Sequence, residues 1–307
     1  MSFATFSRRF ACVTAIATAV TAIALGSRSL AAQAYFGKNQ VQFEKLNWRV
    51  LATEHFDLHY YDGERDAAYM AGRLAERSYA RLSRIFNHQF RERKPIIVFA
   101  SRGGFAQNNV FGDLGESTGG VTDQLRQRNM FFFAGDLKES EHVMAHEMVH
   151  QFQYDIFARG RAGANLAALQ SVNAPAWFIE GMAEYLSIGP AHPATDAIMR
   201  DAALNGNVPT IEQMTQHPED FFPYRYGESF LAYVAKRWGD DVIGEIMQSV
   251  PAGSVERAFS RHTGLSLGEL GEEWKETMQM QHLPLLASRE RARKFSQPVL
   301  NERQTGG

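Results

Sequence analysis

One cysteine stands among 307 residues, Cys12, and it falls in the opening segment of the chain. Beyond it there is no thiol, so disulfides, cysteine nucleophiles and thiolate metal sites are all excluded. A bias of charge is missing as well: 32 Lys and Arg face 34 Asp and Glu, a formal net charge of -2. That balance leaves no electrostatic footprint for nucleic acid or an anionic membrane surface. The glycine-rich stretch 101–123 contains no lysine, so it is read as a loop or lip of a cleft and not as a phosphate-binding loop. Internal repeats are absent too. Any metal site in this chain must be built from histidines and carboxylates.

What is present begins with an export signal. Arg8-Arg9 forms the positive region, Ala11 to Leu25 the apolar region, and Ala32-Gln33-Ala34 a small-residue cleavage site. The predicted localisation is therefore exported, periplasmic or secreted, with no membrane span after cleavage. Residues 35–286 are read as one domain, a sheet-containing half at 35–160 and a helical half at 161–286, with Trp48 to Tyr61 read as a strand from the alternation of Phe56, Leu58 and Tyr60. The polar, basic residues 287–307 are read as a flexible tail.

The chemistry centres on His146-Glu147-Met148-Val149-His150. On a helix, positions i and i+4 share a face one turn apart, so two imidazoles can converge on one cation. The glutamate beside the first histidine then leans toward a water on that cation, as a general base requires. Chance alone gives the pattern in on the order of a few per cent of chains this long, so a further ligand is needed. Downstream, Pro175 opens a second helix that places Glu180 and Glu184 on one face. Glu180 completes a His, His, Glu set with the fourth position open, the donor set of a catalytic zinc, one per chain. Glu184, one turn further, suits the role of fixing a ligating histidine's tautomer. His142 lies about 12 Å along the axis from His150 and so cannot share an ion with it.

His146-Glu147-x-x-His150 followed by Trp177-x-x-Glu180-Gly181-x-Ala183-Glu184-Tyr185 resembles the gluzincin metallopeptidases, and within them the bacterial peptidase MA-like family. The similarity extends from about Val41 to Leu286 and includes Tyr224-Arg225-Tyr226-Gly227. The resemblance implies an α+β, zincin-like fold: an N-terminal mixed β-sheet with a packed helix, the HExxH helix, then a helical C-terminal half. It implies a zinc-dependent peptidase acting on a peptide or protein, and members often precede a TolB-like β-propeller. The chain stops where such a domain would begin. The interval from His150 to Glu180 is long for the superfamily, and 158–173 is predicted as an inserted loop over the site. Gluzincins steady the developing oxyanion with Tyr or His; here Tyr224 and Tyr226 are the candidates, and Tyr226 is the residue predicted. They also lay the substrate along a sheet edge, a place predicted for the strand 129–134.

The reading is an endopeptidase with zinc on His146, His150 and Glu180, Glu147 as base and Glu184 behind a ligand. Two alternatives remain open. An aminopeptidase needs an acidic anchor for the free amine, for which Glu116 is the nearest candidate. A zincin-fold binding or assembly module would have no use for Glu147.

Overall fold

The computed structural model describes residues 45–111, 114, 118–124, 126–133, 135–158, 174–289 and 294. The export signal, Glu116, residues 159–173 of the predicted insertion and most of the tail lie outside them. The chain is α+β. Strands β1 (Trp48–Ala52) and β2 (Phe56–Tyr61) are followed by helix α1 (Arg65–Ile85), β3 (Lys94–Phe99) and short α2 (Arg102–Ala106). Then come β4 (Gly120–Asp123), β5 (Arg128–Phe132) and the long helix α3 (Leu137–Phe157). The rest of the described chain is helical: α4 (Ala176–Ile188), α5 (Pro193–Asn205), α6 (Ile211–Gln216), α7 (Pro223–Trp238) and α8 (Asp241–Ser249). It closes with α9 (Val255–Thr263), α10 (Leu267–His282) and α11 (Leu285–Ser288). Among the described residues no helix is long and apolar enough to cross a membrane.

The five strands run in the order β1-β2-β3-β5-β4, with β1 and β4 antiparallel to their neighbours and the middle three parallel. Two expectations change here. Trp48 to Tyr61 is not one strand but a hairpin, closed by the Thr53 amide on the Phe56 carbonyl at 2.8 Å. The apolar alternation that predicted a strand starts only at Phe56, which marks where the second strand begins. Residues 129–134 were expected at the sheet edge, yet β5 is interior, between β3 and β4. The edge is β4, drawn from the glycine-rich stretch read as loop; four residues, two of them Gly120 and Asp123, carry too little strand signal to be seen.

Alternate residues of the central strands, Phe56, Leu58, Ile96, Val98 and Phe131, point to one face and are buried. Helices α1 and α3 cover that face, and Tyr79, Phe86, Phe90 and Phe152 stack between them, with Phe90 and Phe152 rings 4.4 Å apart. The helical half packs around Trp177, Phe178, Phe230, Phe259 and Trp274. One apolar cluster joins both sets, so α3 is buried from Met144 through Gln153. A helix enclosed on every side can present histidines only inward. Its far end is tied to the sheet by Asp155, which meets Lys94 Nζ at 2.6 Å and His88 Nε2 at 2.6 Å.

Helices α4 and α7 touch backbone to backbone. A Cβ on Gly227 would stand 2.1 Å from the Trp177 carbonyl oxygen, and one on Gly181 would stand 2.4 Å from Gly227 Cα. Glycine at both positions is therefore a steric requirement of this pairing. The contact sets the spacing of everything described next.

Candidate metal centre

Helix α3 starts at Asp136, whose side chain accepts from the Lys138 amide at 2.8 Å, and Glu139 in its first turn faces the positive end of the dipole. Two turns on, His146 and His150 project from one face with their Nε2 atoms 3.1 Å apart. Glu180, from α4, brings Oε2 to 3.4 Å from His146 Nε2 and 3.2 Å from His150 Nε2. Neither contact is aligned as a hydrogen bond, so Glu180 Oε2 is a buried acceptor without a donor. Three ligands of a tetrahedral zinc, each roughly 2.0–2.1 Å from the ion, stand about 3.3 Å from one another. The three atoms thus already form the triangle a small divalent cation would cap, and nitrogen with carboxylate oxygen is a donor set suited to zinc.

Both imidazoles meet a polar group behind them. Gln153 Oε1 lies 2.8 Å from His150 Nδ1, and the same amide donates to the Ile179 carbonyl at 3.0 Å. No motif marks position 153, yet its amide is what holds His150. Behind His146, Glu184 Oε1 comes within 3.0 Å of Nδ1, off the axis of a formed hydrogen bond but close enough to act through charge. Oε1 also lies 3.2 Å from His142 Nε2, which gives His142 its place outside the triangle.

The charges follow. Burial pulls the His146 imidazole down, but the carboxylates of Glu180 and Glu184 outweigh it and hold it up at about 10. Burial pushes Glu180 and Glu184 up, and the facing imidazoles reverse this and hold both far below the ordinary carboxylate range. The cluster is an arrangement of paired charges that a cation would reorganise.

Glu147 turns toward edge strand β4. The Thr122 hydroxyl is 2.5 Å from Glu147 Oε2, nearer than to the Glu147 carbonyl at 3.0 Å, and its one proton goes to the carboxylate. Strand β4 can come this close because of Gly120: a Cβ there would lie 2.8 Å from Glu147 Cγ and 2.9 Å from Val143 Cγ1. Edge strand, Glu147 and the triangle are therefore neighbours. The side chain of Glu180 keeps 24% of its surface against 10% for His146 and 7% for His150, so the cluster opens to solvent on the Glu180 side.

The two candidate tyrosines separate. Tyr224 stacks on His146, ring centroids 5.8 Å apart and 13° from parallel. Burial, then the negative charge of Glu180, raise its hydroxyl. Tyr226, the residue predicted from sequence, is turned away: its ring meets Phe221 edge-on at 5.7 Å and lines a separate cavity with Lys275. Two residues along a helix are about 200° apart, so only one of the pair can face the cluster. On the other flank Tyr154 stacks on His150 at 6.1 Å, a residue the motif reading passed over. His55 bonds to Glu76 at 2.7 Å and His217 faces Glu219 in solvent; neither is part of the centre.

Residues 127–274 match the model of the BSP family, described as "Peptidase of plants and bacteria". The matched stretch contains every residue of the triangle together with Glu147, Glu184 and Tyr224, and it supports a peptidase family. No curated protein matches the chain.

Proposed function

We propose that the protein is an exported zinc-dependent endopeptidase of the gluzincin type. The observation that carries this reading is the triangle of His146 Nε2, His150 Nε2 and Glu180 Oε2, with sides of 3.1, 3.4 and 3.2 Å. His146, His150 and Glu180 would hold the ion. When bound, zinc supplies a Lewis acid that polarises a carbonyl and lowers the pKa of water. Glu147 takes the proton from the attacking water and returns it to the leaving amine. Thr122 keeps that carboxylate turned toward β4, where an extended chain can add as a further strand. Tyr224, beside His146, is placed to donate to the developing oxyanion. Export rests on the leader of residues 1–34, and a β-propeller partner on the resemblance alone.

The test is a full-length wild type and a Glu147→Gln variant, each assayed for bound zinc and for cleavage of unfolded casein and of peptides blocked at both ends. One zinc per chain in both, with cleavage by wild type alone, is the expected result. Cleavage restricted to peptides with a free amine would replace the endopeptidase by an aminopeptidase. Zinc without cleavage in wild type would favour the binding module, and absence of zinc would overturn the reading.

A further inference from the structure

Arg225 touches none of the three candidate ligands, yet it is wired to one of them. Its Nη1 lies 2.7 Å from Glu184 Oε2 and 3.0 Å from Glu228 Oε2. Glu228, 1% exposed, is held in turn by the Thr195 hydroxyl at 2.5 Å on that same oxygen. Glu184 therefore divides its oxygens: Oε2 goes to Arg225, and Oε1 faces His146 Nδ1 at 3.0 Å and His142 Nε2 at 3.2 Å.

We propose that Arg225 is the positioning residue of the metal centre, assigning Glu184 Oε1 to His146. The torsion that turns a carboxylate is broad and roughly two-fold, so Glu184 alone has no fixed orientation. A planar, permanently charged guanidinium that occupies one oxygen removes that freedom. With Oε1 held 3.0 Å from Nδ1, its charge favours the imidazole proton on that nitrogen and leaves the Nε2 lone pair to the ion. The second carboxylate, Glu228, keeps the guanidinium from swinging out to solvent. Arg225 stands next to Tyr224, and the backbone contact of Gly227 with α4 fixes the height of this turn above Glu184. A substrate-binding role for Arg225 fits less well, because its Nη1 is already shared between two buried carboxylates.

This inference rests on the proposal that His146 is a zinc ligand, and the experiment separates the two. Zinc affinity of the full chain is measured by competition with a chromophoric chelator, for wild type, Arg225→Gln and Arg225→Lys, alongside thermal melts and steady-state cleavage. Arg225→Gln is expected to bind zinc about tenfold more weakly, the low end of the range for groups behind a ligand. Arg225→Lys is expected to fall between, since an ammonium can replace the charge but not the planar fork. An affinity within twofold of wild type in a cooperatively melting Arg225→Gln protein overturns the assignment, as does an effect confined to KM. If Arg225→Gln does not fold, Arg225→Lys decides: several-fold weaker zinc supports the role and unchanged zinc overturns it. A wild type that binds no zinc would sink the earlier proposal as well.

Discussion

Gly227→Ala is the sharpest probe of how the fold sets the site. The added Cβ would stand 2.1 Å from the Trp177 carbonyl oxygen and 2.8 Å from Gly181 Cα, and both neighbours are backbone of α4. Unstrained contacts between such atoms need about 3.5 Å, so the two helices must part by roughly an ångström. Overpacking of this kind costs about 1–3 kcal/mol. For a domain of this size that corresponds to a fall in Tm of roughly 3–10 °C. The same movement lengthens the Arg225–Glu184 bond from 2.7 Å past the limit of a hydrogen bond, so zinc affinity should fall with stability. Gly244→Ala is the control, since its Cβ would meet the Ile85 carbonyl oxygen at 1.7 Å, on a helix that contributes nothing to the centre. It should lower Tm at least as far and leave zinc affinity unchanged. Melting curves and chelator competition on both variants are the assay. A Gly227→Ala Tm within about 1 °C of wild type would refute the steric argument. Equal loss of zinc affinity in both would refute the link between helix spacing and the site.

Asp155→Ala removes the carboxylate between Lys94 and His88 and leaves a buried ammonium with Gln127 and the Phe90 ring but no counter-charge, which should cost about 3–5 kcal/mol in a urea titration. Tyr224→Phe should lower kcat about tenfold or more with little change in KM, while Tyr226→Phe should leave both within twofold; steady-state kinetics on the pair decides which tyrosine acts. Zinc affinity should rise about tenfold per pH unit between 6.5 and about 9, because a proton held at about 10 on His146 must leave before the ion binds. The sign for the metal-free protein is opposite: stability from the protonated His146 is complete below its ordinary 6.5 and lost as pH climbs through about 10. Chelator competition and melts of the metal-free protein across that range check both halves, and a flat affinity profile would contradict the charge assignment.

That His146, His150 and Glu180 converge was legible because the information is local. His146 and His150 are one helical turn apart, and Glu180 and Glu184 are one turn apart on the next helix, so a period of 3.6 residues is enough to aim each pair. Which tyrosine faces the cluster was not legible, because the phase of α7 is decided by a backbone contact with α4 at Gly227 that no periodicity reports. The same holds for edge strand β4. Its four residues have weak strand propensity and are held in place by β5 and by the bond from Thr122 to Glu147. Gln153 was overlooked for another reason: an amide has no motif, and its role exists only through Ile179 and His150, one from each helix. The signal that could have found it is its position, one turn beyond His150 on the face that meets α4.

The electrostatics bear on why the centre would take a divalent ion. Glu147, Glu184 and Glu228 are buried beside the partly exposed Glu180, with Arg225 as the permanently charged partner of two of them. Burial pushes Glu228 up, toward the neutral form, and the proton drawn onto His146 offsets one more charge. Both are compromises a protein makes when carboxylates outnumber cations in a low dielectric. A divalent cation between His146, His150 and Glu180 would displace that proton and bring in one more positive charge than it removes. It would also leave Glu147 outside the ligand triangle, free to accept a proton. On the proposed reading, the ion would balance this surplus of carboxylate and leave Glu147 available as the base.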